Sequence, residues 1–417
     1  MLGSKLKVQQ IADSLAGLRT LMRVDFNVPV KDGVVKDTTR IVATLPTIRL
    51  ALEKGAKSVV LISHLGRPDG KIVPKDSLRP VASELQRLLQ HPVTFLDDCV
   101  GDAVQQAVAD PAPGSVFLLE NLRFHAEEEG AGIDEHGAKF KPSAEAVEAF
   151  RDQLTSLGDV FINDAFGTAH RAHSSMVGVK LEKRAAGLLM GKELEYFSKA
   201  LESPARPLTV IMGGAKVKDK IKLIFNLLDL CNDMIIGGGM AFTFLKKLHN
   251  VEIGNSLFDA EGAEIVEGII KKAEEKGVNI HLPVDFRCGN RFDAGCDVQI
   301  TEGQVPEGWI GMDVGPKTTE IFSRVLNASN TVVWNGPVGV CEFPAFAVGS
   351  DQIFRDLAEG SARGQISIAG GGDTAAFVMT KGEESSKISH ISTGGGASLE
   401  LMEGRVLPGV VHLSEVA

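Results

Sequence analysis

Residues 38–63 read TTRIVATLPTIRLALEKGAKSVVLIS, a helical pattern followed almost directly by a strand pattern. The first part predicts a helix from Thr38 to Gly55, because apolar residues recur every three or four positions and a glycine closes the run. The run Ser58–Ser63 is short, apolar and rich in β-branched residues, which predicts a buried strand. Another strand is predicted at Leu21–Asn27, before the helix. Strand, helix and strand in this order predict a right-handed β-α-β unit with parallel strands.

The same alternation extends through both halves of the chain. In the first half, strands are also predicted at Val93–Leu96, Ser115–Glu120 and Val160–Asn163, and a helix at Leu78–Gln90. A long helix predicted over Glu182–Leu201, followed by two prolines within residues 203–207, separates this half from a second series of strands. That series is predicted at Leu208–Met212, Met234–Ile236, Ile280–Pro283, Thr331–Trp334, Gln365–Ala369 and Ile388–Ser392. We therefore expect two doubly wound (Rossmann-like) α/β domains with parallel sheets, joined by a hinge helix.

The composition of the chain narrows the class of protein. The 417 residues are 44% hydrophobic and 24% charged, which is typical of folded globular domains. The net charge of −10 argues against a nucleic-acid-binding protein. No apolar segment reaches the ~18 residues of a membrane span, and no secretory signal is visible. We therefore expect a cytoplasmic protein without nucleic-acid or membrane partners.

The 5 cysteines are expected to be reduced. Their number is odd and they contain no C-x-x-C spacing, which disfavours a disulfide scaffold or a zinc ribbon. Cys288 and Cys296 could be metal ligands, but their spacing fits no standard zinc site. Burial as small apolar side chains is the better interpretation.

Polar and mostly cationic residues follow the predicted strands of the first half. In an open parallel sheet, ligands bind beyond the carboxyl ends of the strands, so these residues are candidates for one common site. They are Asp25, Asn27, His64, Arg67, Arg123, His170 and Arg171. Arg40 opens the first helix, where the helix dipole would favour an acid. The arginines and histidines among these residues predict an anion pocket, because one guanidinium group can donate two parallel hydrogen bonds to the oxygens of a phosphate or a carboxylate.

Glycines follow the predicted strands of the second half. The chain holds 45 glycines, and groups of them lie at 213–214, 237–239, 336–339, 370–372 and 394–396. Without side chains, backbone amides can approach phosphate groups and a purine ring can lie against the chain. Lys216 and Lys220 are predicted on one face of a helix that begins after Gly214, as donors to phosphates. Asp373 is the candidate ligand for Mg²⁺ on a nucleotide.

These residues leave two other functions open. The absence of G-x-x-x-x-G-K-[ST] excludes a P-loop NTPase, but Gly370-x-Gly372-x-x-Ala375 fits a loose dinucleotide fingerprint. An NAD-dependent dehydrogenase is therefore an alternative, although the next strand ends in Ser392-Thr393 where a ribose-binding acid would be expected. A nucleotide-responsive binding protein without turnover is the second alternative. This alternative is disfavoured because the charged residues expected of an active enzyme are all present: Arg40, Lys216, Lys220 and Asp373.

Several segments form motifs that resemble the phosphoglycerate kinase family, in order and nearly end to end. On the anion side they are RVDFNVP at 23–29, SHLGRP at 63–68, ENLRF at 120–124 and DAFGTAHR at 164–171. On the nucleotide side they are GGAK at 213–216, WNGP at 334–337, GGDT at 371–374 and TGGGAS at 393–398. The resemblance implies reversible phosphoryl transfer between 1,3-bisphosphoglycerate and ADP, giving 3-phosphoglycerate and ATP. One position departs from the pattern, because Cys341 stands where family members have a larger apolar residue.

The resemblance also implies a set of residues for each substrate. The set for 3-phosphoglycerate is Asp25, Asn27, Arg40, His64, Arg67, Arg123, His170 and Arg171. The set for the nucleotide is Gly213, Gly214, Lys216, Lys220, Gly237, Gly238, Gly311, Asn335, Glu342, Gly371, Gly372, Asp373 and Thr374. Within it, Glu342 would bind the ribose and Asp373 would hold Mg²⁺. The transferred phosphoryl group would be stabilised by Arg40, Lys216, Gly395 and Gly396.

The resemblance further implies a division of the chain. An N-terminal 3-phosphoglycerate-binding domain would span residues 1–187 and 405–417, a hinge helix 188–203, and a C-terminal nucleotide-binding domain 204–404. Because the acceptor carboxylate is ionised at pH 7, no general base is expected, and His64 and His170 would donate hydrogen bonds. We expect a monomer whose cleft closes around its substrates.

Overall fold

The computed structural model describes residues 1–416. They form two compact units, one made of Met1–Glu195 with the residues from Val406 onward, and the other of Tyr196–Arg405. Each unit contains one six-stranded sheet in which all neighbouring strands are parallel. The expected fold class, two doubly wound α/β domains, is confirmed.

The first unit is built around a sheet whose strands have the order β6-β5-β1-β2-β4-β3. The strands are β1 (Arg19–Arg23), β2 (Ser58–Ile62), β3 (Thr94–Leu96), β4 (Ser115–Leu119), β5 (Val160–Asn163) and β6 (Arg184–Ala186). The helices are α1 (Thr39–Glu53), α2 (Arg79–Leu89), α3 (Asp102–Ala109), α4 (Ala126–Glu129), α5 (Ala144–Ser156), α6 (Ser174–Val177) and α7 (Leu188–Phe197). Short helices also lie at Val8–Ile11 and Pro408–Val411.

The second unit contains a parallel sheet of the order β9-β8-β7-β13-β14-β15 and a smaller antiparallel sheet of the order β11-β10-β12. The strands are β7 (Leu208–Met212), β8 (Asp233–Ile236), β9 (Asn279–His281), β10 (Asp285–Gly289), β11 (Val298–Glu302), β12 (Ile310–Val314), β13 (Thr331–Asn335), β14 (Ile366–Gly370) and β15 (His390–Ile391). The helices are α8 (Ile221–Leu228), α9 (Gly238–His249), α10 (Ala260–Lys276), α11 (Pro316–Asn327), α12 (Val348–Ala362), α13 (Gly372–Met379) and α14 (Gly396–Met402).

Both faces of the first sheet are covered by apolar cores, which explains why its strands are almost uniformly hydrophobic. Met22 and Val59 lie in the core on one face, whereas their neighbours Leu21 and Val60 lie in the core on the other. Successive side chains of a strand point to opposite faces, so a sheet buried on both sides needs apolar residues at every position. The helices between the strands supply that cover.

The long helix predicted over Glu182–Leu201 is wrong in its first part. Arg184–Ala186 forms the edge strand β6, which pairs in parallel with β5, and α7 begins only at Leu188. Ala185 and Ala186 are fully buried, so packing against the sheet overrides the helix propensity of alanine. Ser198–Glu202 continues α7 as a π-helical turn.

The sequence patterns do not predict the small antiparallel sheet of the second unit or helix α10. Strand β11 alternates exposed and half-buried residues, and its apolar Val298 and Ile300 are 42% and 52% exposed. Such a strand lacks the continuous apolar run that identifies the strands of the parallel sheets. The small sheet matters for function because β12 lines the pocket described below.

All five cysteines are free thiols, as expected. Cys99, Cys231 and Cys288 are buried, whereas Cys296 and Cys341 are half-buried, so the interpretation of Cys288 and Cys296 as buried apolar side chains is confirmed for Cys288 and wrong for Cys296. Within residues 1–416, no helix combines the length and the apolar character needed to cross a membrane.

Candidate functional site

The loops that carry the candidate anion-binding residues lie side by side in the first unit. Strands β5, β1, β2 and β4 are consecutive neighbours in the parallel sheet, so their carboxyl ends share one edge. Strand β1 ends at Arg23, earlier than predicted, which places Asp25 and Asn27 in the loop beyond it. Arg40 joins this edge from the first turn of α1.

Asp25 connects three of these elements. Nη1 of Arg40 donates to both carboxylate oxygens of Asp25, at 2.9 and 2.8 Å. Gly167, in the loop after β5, lies so close that an added Cβ would be 3.0 Å from Oδ2 of Asp25. Asn27 accepts a hydrogen bond from the backbone N–H of Gly66 at 3.0 Å, which ties the β1 loop to the β2 loop. The arrangement orients a half-exposed guanidinium group at the sheet edge.

His64 is 5% exposed and lies against an arginine that sequence reasoning did not select as a site residue. Its Nδ1 atom is 3.1 Å from Nη2 of Arg23, which is fully buried at the end of β1. Burial, and then the positive charge of Arg23, hold the pKa of His64 well below its usual range. His64 is therefore neutral at pH 7. The motif around Arg23 was visible in the sequence, but the burial of its side chain was not.

Arg123 is fixed by the backbone and by an acidic helix. Its Nη1 donates to the carbonyl oxygen of Gly66 at 2.8 Å, and its Nε lies 3.3 Å from Glu129 of α4. Glu129 also lies 3.7 Å from Nε2 of His173. Burial and the charge of Arg123 lower the pKa of His173 to about 3, so this imidazole is neutral as well. Sequence reasoning missed Glu129 and His173 as neighbours of the site.

The remaining candidate residues of this unit lie nearer the solvent. Arg67 and Arg171 are exposed, and His170 is half-buried. The charges of Arg171 and His170 contribute to the lowered pKa of His173, which places both within electrostatic range of that imidazole. Several cations near one sheet edge produce a positive potential that attracts an anionic ligand.

The glycine loops of the second unit surround a pocket of 530 Å³. Its lining is mostly backbone and apolar side chains, with Asp313, Glu342 and Asp373 as the acidic members. The predicted residues among its walls are Gly214, Gly238, Gly311, Glu342 and Asp373. Phe242, Leu257, Phe292 and Val340 also line it, and sequence reasoning did not select them. A pocket of this size with few polar groups suits a planar heterocycle.

Glycines 213 and 238 are required by close backbone approaches. A Cβ on Gly213 would lie 2.0 Å from the carbonyl oxygen of Pro337. Gly238 has φ +66, and a Cβ there would lie 2.7 Å from the amide nitrogen of Gly214. Gly311 makes room for an aromatic ring, because a Cβ would lie 2.1 Å from Cζ of Phe242. The loops after β7, β8 and β13 therefore pack directly on one another.

The prediction that Lys216 and Lys220 share one helix is wrong. Lys216 lies in a loop, and Lys220 ends a 3₁₀ turn that precedes α8 at Ile221. The backbone N–H of Lys218 donates to Oδ2 of Asp259 at 2.9 Å, which holds this segment outside the α-helix. Side-chain capping of this kind competes with helical hydrogen bonds.

Lys220 turns back toward the ends of β7 and β13. Its Nζ donates to the carbonyl oxygen of Gly213 at 2.7 Å, to that of Asn335 at 3.1 Å and to Oδ1 of Asn335 at 2.6 Å. Burial lowers the pKa of Lys220 to about 8, and the charge of Asp373 opposes this shift. The ammonium group is therefore held at the ends of β7 and β13 by neutral oxygen atoms.

Two helices begin at the glycine loops. Helix α13 begins at Gly372 after Gly371, whose φ is +90, and Asp373 lies exposed in its first turn. Thr374 accepts a hydrogen bond from the backbone N–H of Gly336 at 2.7 Å, and Asn335 donates to the carbonyl oxygen of Gly370 at 3.2 Å. Helix α14 begins at Gly396, with Gly395 at φ +53 as its N-cap.

Asp313 is a buried acid in the wall of the pocket that sequence reasoning missed. It lies in β12, is 3% exposed and accepts a hydrogen bond from the backbone N–H of Gly349 at 2.9 Å. Burial raises the pKa of Asp313 to about 7. Its neighbour Gly339 lies so close that an added Cβ would be 2.4 Å from Oδ1, which explains the glycine in the WNGPVG segment.

Three comparisons with known proteins agree. The family model described as Phosphoglycerate kinase matches residues 8–405. A phosphoglycerate kinase of Condylostoma magnum is 66% identical over 376 residues, which cover 90% of this chain and 100% of that relative. A phosphoglycerate kinase of Schistosoma mansoni is 57% identical over 414 residues, covering 99% of each chain. The solved structure of phosphoglycerate kinase from Coxiella burnetii has a TM-score of 0.86 at 36% identity and covers 98% of each chain.

The two doubly wound units, the pocket among glycine loops and these matches define the class of the protein, which is a kinase. The chain belongs to the phosphoglycerate kinase family.

Proposed function

We propose that the protein catalyses reversible phosphoryl transfer between 1,3-bisphosphoglycerate and ADP, giving 3-phosphoglycerate and ATP. The observation that carries the proposal is the convergence of Asp25, Arg40, His64 and Arg123 at one sheet edge, in a member of this family. An anion with a phosphate and a carboxylate matches the donors Arg40, His64 and Arg123, whereas Asp25 accepts from Arg40 and orients it. The residues that bind it are Asp25, Asn27, Arg40, His64, Arg67, Arg123, His170 and Arg171.

The nucleotide binds in the glycine-lined pocket of the second unit. The purine lies among the apolar residues, the ribose on Glu342, and the phosphates on the loops that begin α13 and α8. The residues that bind it are Gly213, Gly214, Lys216, Lys220, Gly237, Gly238, Gly311, Asn335, Glu342, Gly371, Gly372, Asp373 and Thr374. This assignment is supported by the pocket lining and by the direct packing of the glycine loops.

The chemistry needs no general base. In the ATP-consuming direction, a carboxylate oxygen of 3-phosphoglycerate bonds to the γ-phosphorus while the bond from that phosphorus to the bridging oxygen of ADP breaks. The acceptor is already ionised at pH 7, so no proton is transferred. The neutral state of His64 agrees with a role as hydrogen-bond donor. Catalysis then depends on positioning and on stabilising the charge of the transferred group.

The transferred phosphoryl group is stabilised by Arg40, Lys216 and the backbone amides of Gly395 and Gly396. Arg40 is oriented by Asp25, and Lys216 is exposed in its loop. The amides belong to the start of α14, where unpaired N–H groups and the helix dipole favour an anion.

Magnesium is held by Asp373 together with the phosphates of the nucleotide. The donor set fits, because Mg²⁺ is usually bound by one or two carboxylates, phosphate oxygens and water, and Asp373 is an exposed carboxylate that lines the pocket. The bound ion would neutralise phosphate charge during transfer. Asp373 contributes the protein ligand and helps to orient the phosphates.

Closure of the two domains brings the substrates together and excludes water. We assign 3-phosphoglycerate binding to residues 1–187 and 405–417, the hinge to residues 188–203, and nucleotide binding to residues 204–404. Small-angle scattering should show a smaller radius of gyration when both substrates are bound, and an unchanged radius would contradict closure. We also propose that the protein acts as a monomer in the cytoplasm. Analytical ultracentrifugation tests the monomeric state.

A coupled assay tests the proposed reaction. ADP release from ATP should require both 3-phosphoglycerate and Mg²⁺, and omission of either should abolish it. No turnover under any condition would favour the nucleotide-binding protein without activity. Saturable NAD binding would favour the dehydrogenase alternative, which the Gly370 loop suggested.

A further inference from the structure

A chain of hydrogen bonds runs behind His64 into the interior of the first unit. Nη2 of Arg23 lies 3.1 Å from Nδ1 of His64, and Nε of Arg23 donates to Oγ of Ser175 at 2.9 Å. The hydroxyl of Ser175 donates to Oε1 of Glu128 at 2.6 Å, and the backbone N–H of Ser175 donates to Oε2 at 2.9 Å. All four residues are at most 5% exposed. None of Arg23, Ser175 and Glu128 belongs to the proposed binding set.

The chemistry of the guanidinium group decides the tautomer of His64. Arginine has only N–H donors and stays protonated, so Nδ1 of His64 must accept a hydrogen bond from Nη2. The single proton of the neutral imidazole is then on Nε2. A second hydrogen bond from Arg23 to the carbonyl oxygen of Val24 restricts rotation of the guanidinium plane. His64 is therefore held with Nε2–H as its only ring donor.

Glu128 and Ser175 hold Arg23 in this orientation. A buried arginine needs a compensating charge, and Glu128 supplies one, with the hydroxyl of Ser175 bridging the two side chains by hydrogen bonds. Burial raises the pKa of Glu128, but the charge of Arg23 and two hydrogen bonds from Ser175 oppose that shift. Helix α4 therefore supplies a buried counter-charge, and α6 supplies the bridging serine, for the arginine that orients His64.

We propose that Glu128 and Ser175 are positioning residues that act through Arg23 to fix His64 in the Nε2–H tautomer for binding the acidic substrate. The identity of the acidic substrate in this inference rests on the proposed function, whereas the assignment of the His64 tautomer does not. The inference distinguishes Ser175 from its neighbour Ser174, which is equally buried and also links an arginine to helix α4. Ser174 accepts from Nε of Arg151 at 3.1 Å and donates to the carbonyl oxygen of Glu127 at 2.7 Å.

The test compares Ser175→Ala with Ser174→Ala as a matched control in the full chain. Long-range ¹H–¹⁵N spectra of protein labelled at histidine report which ring nitrogen of His64 carries the proton. The wild type and Ser174→Ala should show Nε2–H alone, whereas Ser175→Ala should show mixed tautomers. The KM for 3-phosphoglycerate should rise about tenfold in Ser175→Ala, the fold-change expected for losing one hydrogen bond to a charged group. The KM for ATP should stay unchanged.

A second variant covers the case in which Ser175→Ala does not fold. Glu128→Gln keeps the shape and one acceptor oxygen but removes the charge, and it should also mix the His64 tautomers. An unchanged His64 spectrum in both Ser175→Ala and Glu128→Gln would overturn the inference. So would an equal rise in KM for 3-phosphoglycerate in Ser175→Ala and Ser174→Ala. If the proposed function is wrong, the wild-type protein should show no turnover that depends on 3-phosphoglycerate, which is an outcome distinct from those above.

Discussion

Arg40 and Asp25 form an ion pair in which one nitrogen of the guanidinium group, Nη1, bridges both carboxylate oxygens at 2.9 and 2.8 Å. The side chain of Arg40 is 49% exposed, whereas that of Asp25 is 16% exposed. An exposed pair of this kind contributes ~1 kcal/mol or less to stability. Its consequence is orientation, because Nε and Nη2 of Arg40 stay available for an anion while Nη1 is held.

Replacing Arg40 tests its place in the transfer step. Arg40→Ala should lower kcat by ~10²–10³, the loss typical of removing one donor to developing charge, with little change in nucleotide affinity. Steady-state kinetics and titration calorimetry with ADP measure the two effects. Arg49→Ala is the control, because Arg49 is exposed on the same helix and donates to the carbonyl oxygen of Leu88. An unaffected kcat in Arg40→Ala would exclude the assignment.

Lys220 should make nucleotide binding depend on pH. Its pKa is lowered to about 8 by burial, and bound phosphates would raise it again. The free protein therefore loses the charge of Lys220 as pH rises above 8, and ADP binding at pH 8.5 should take up part of a proton. Calorimetry in two buffers of different ionisation enthalpy measures this uptake. Lys220→Arg stays charged and should bind without uptake, and equal uptake in both proteins would refute the assignment.

Gly213 should not tolerate a side chain. A Cβ there would meet the carbonyl oxygen of Pro337 at 2.0 Å, and backbone cannot move aside as a flexible side chain can. Gly213→Ala should destabilise the protein by about 1–3 kcal/mol and raise the KM for nucleotide at least tenfold. In contrast, Gly268→Ala, in the middle of α10 with open space around it, should stabilise by ~0.5–1 kcal/mol. Urea unfolding and kinetics of both variants separate the two effects.

Asp164 should make stability depend on pH in a defined direction. It follows β5, is fully buried, and accepts hydrogen bonds from Thr47 at 2.6 Å and from the backbone of Leu189 and Met190 at 2.9 and 3.0 Å. Burial nevertheless raises the pKa of Asp164 to about 6. The folded state therefore binds more protons than the unfolded state between pH 4 and 6.

The sign of the effect follows from proton linkage. Ionisation of Asp164 costs more in the folded than in the unfolded state, so its contribution to stability falls as pH rises from 4 to 7. From the two pKa values, the fall is on the order of 3 kcal/mol. Asp164→Asn cannot ionise, so the free energy of unfolding of the wild type relative to this variant should decrease over that range. A difference that is constant with pH would contradict the shift.

Much of the fold follows from local patterns. The predicted helix Thr38–Gly55 and the strand Ser58–Ser63 correspond to Thr39–Glu53 and Ser58–Ile62. Apolar residues at every third or fourth position predict the helix, and a continuous apolar run predicts the strand. The run is continuous because a sheet covered on both faces requires apolar residues at every strand position. The pattern fails at Arg184–Ala186, where alanines that favour a helix are buried in an edge strand. It also misses β11, whose exposed residues interrupt any apolar run.

The candidate site, too, could be predicted from the sequence only in part. Arg40 and Asp373 could be proposed from their positions beside strand ends and helix starts. The buried residues behind His64 could not be proposed from the sequence. Arg23, Ser175 and Glu128 are far apart in the chain, and charged side chains are ordinarily expected at the surface. Lys220 was predicted to share a helix face with Lys216, but it precedes α8, and hydrogen bonds to Gly213 and Asn335 direct it toward the strand ends.

The sequence alone determined the alternation of strands and helices, the cationic and glycine-rich character of the two sets of strand ends, and the likeness to one kinase family. These properties are local, because side-chain period and backbone freedom depend on neighbouring residues. The tertiary structure decided that β5, β1, β2 and β4 are adjacent, and that Arg23 is buried between His64 and Glu128. Strand pairing and the desolvation of charges depend on residues far apart in the chain, which only the folded protein brings into contact.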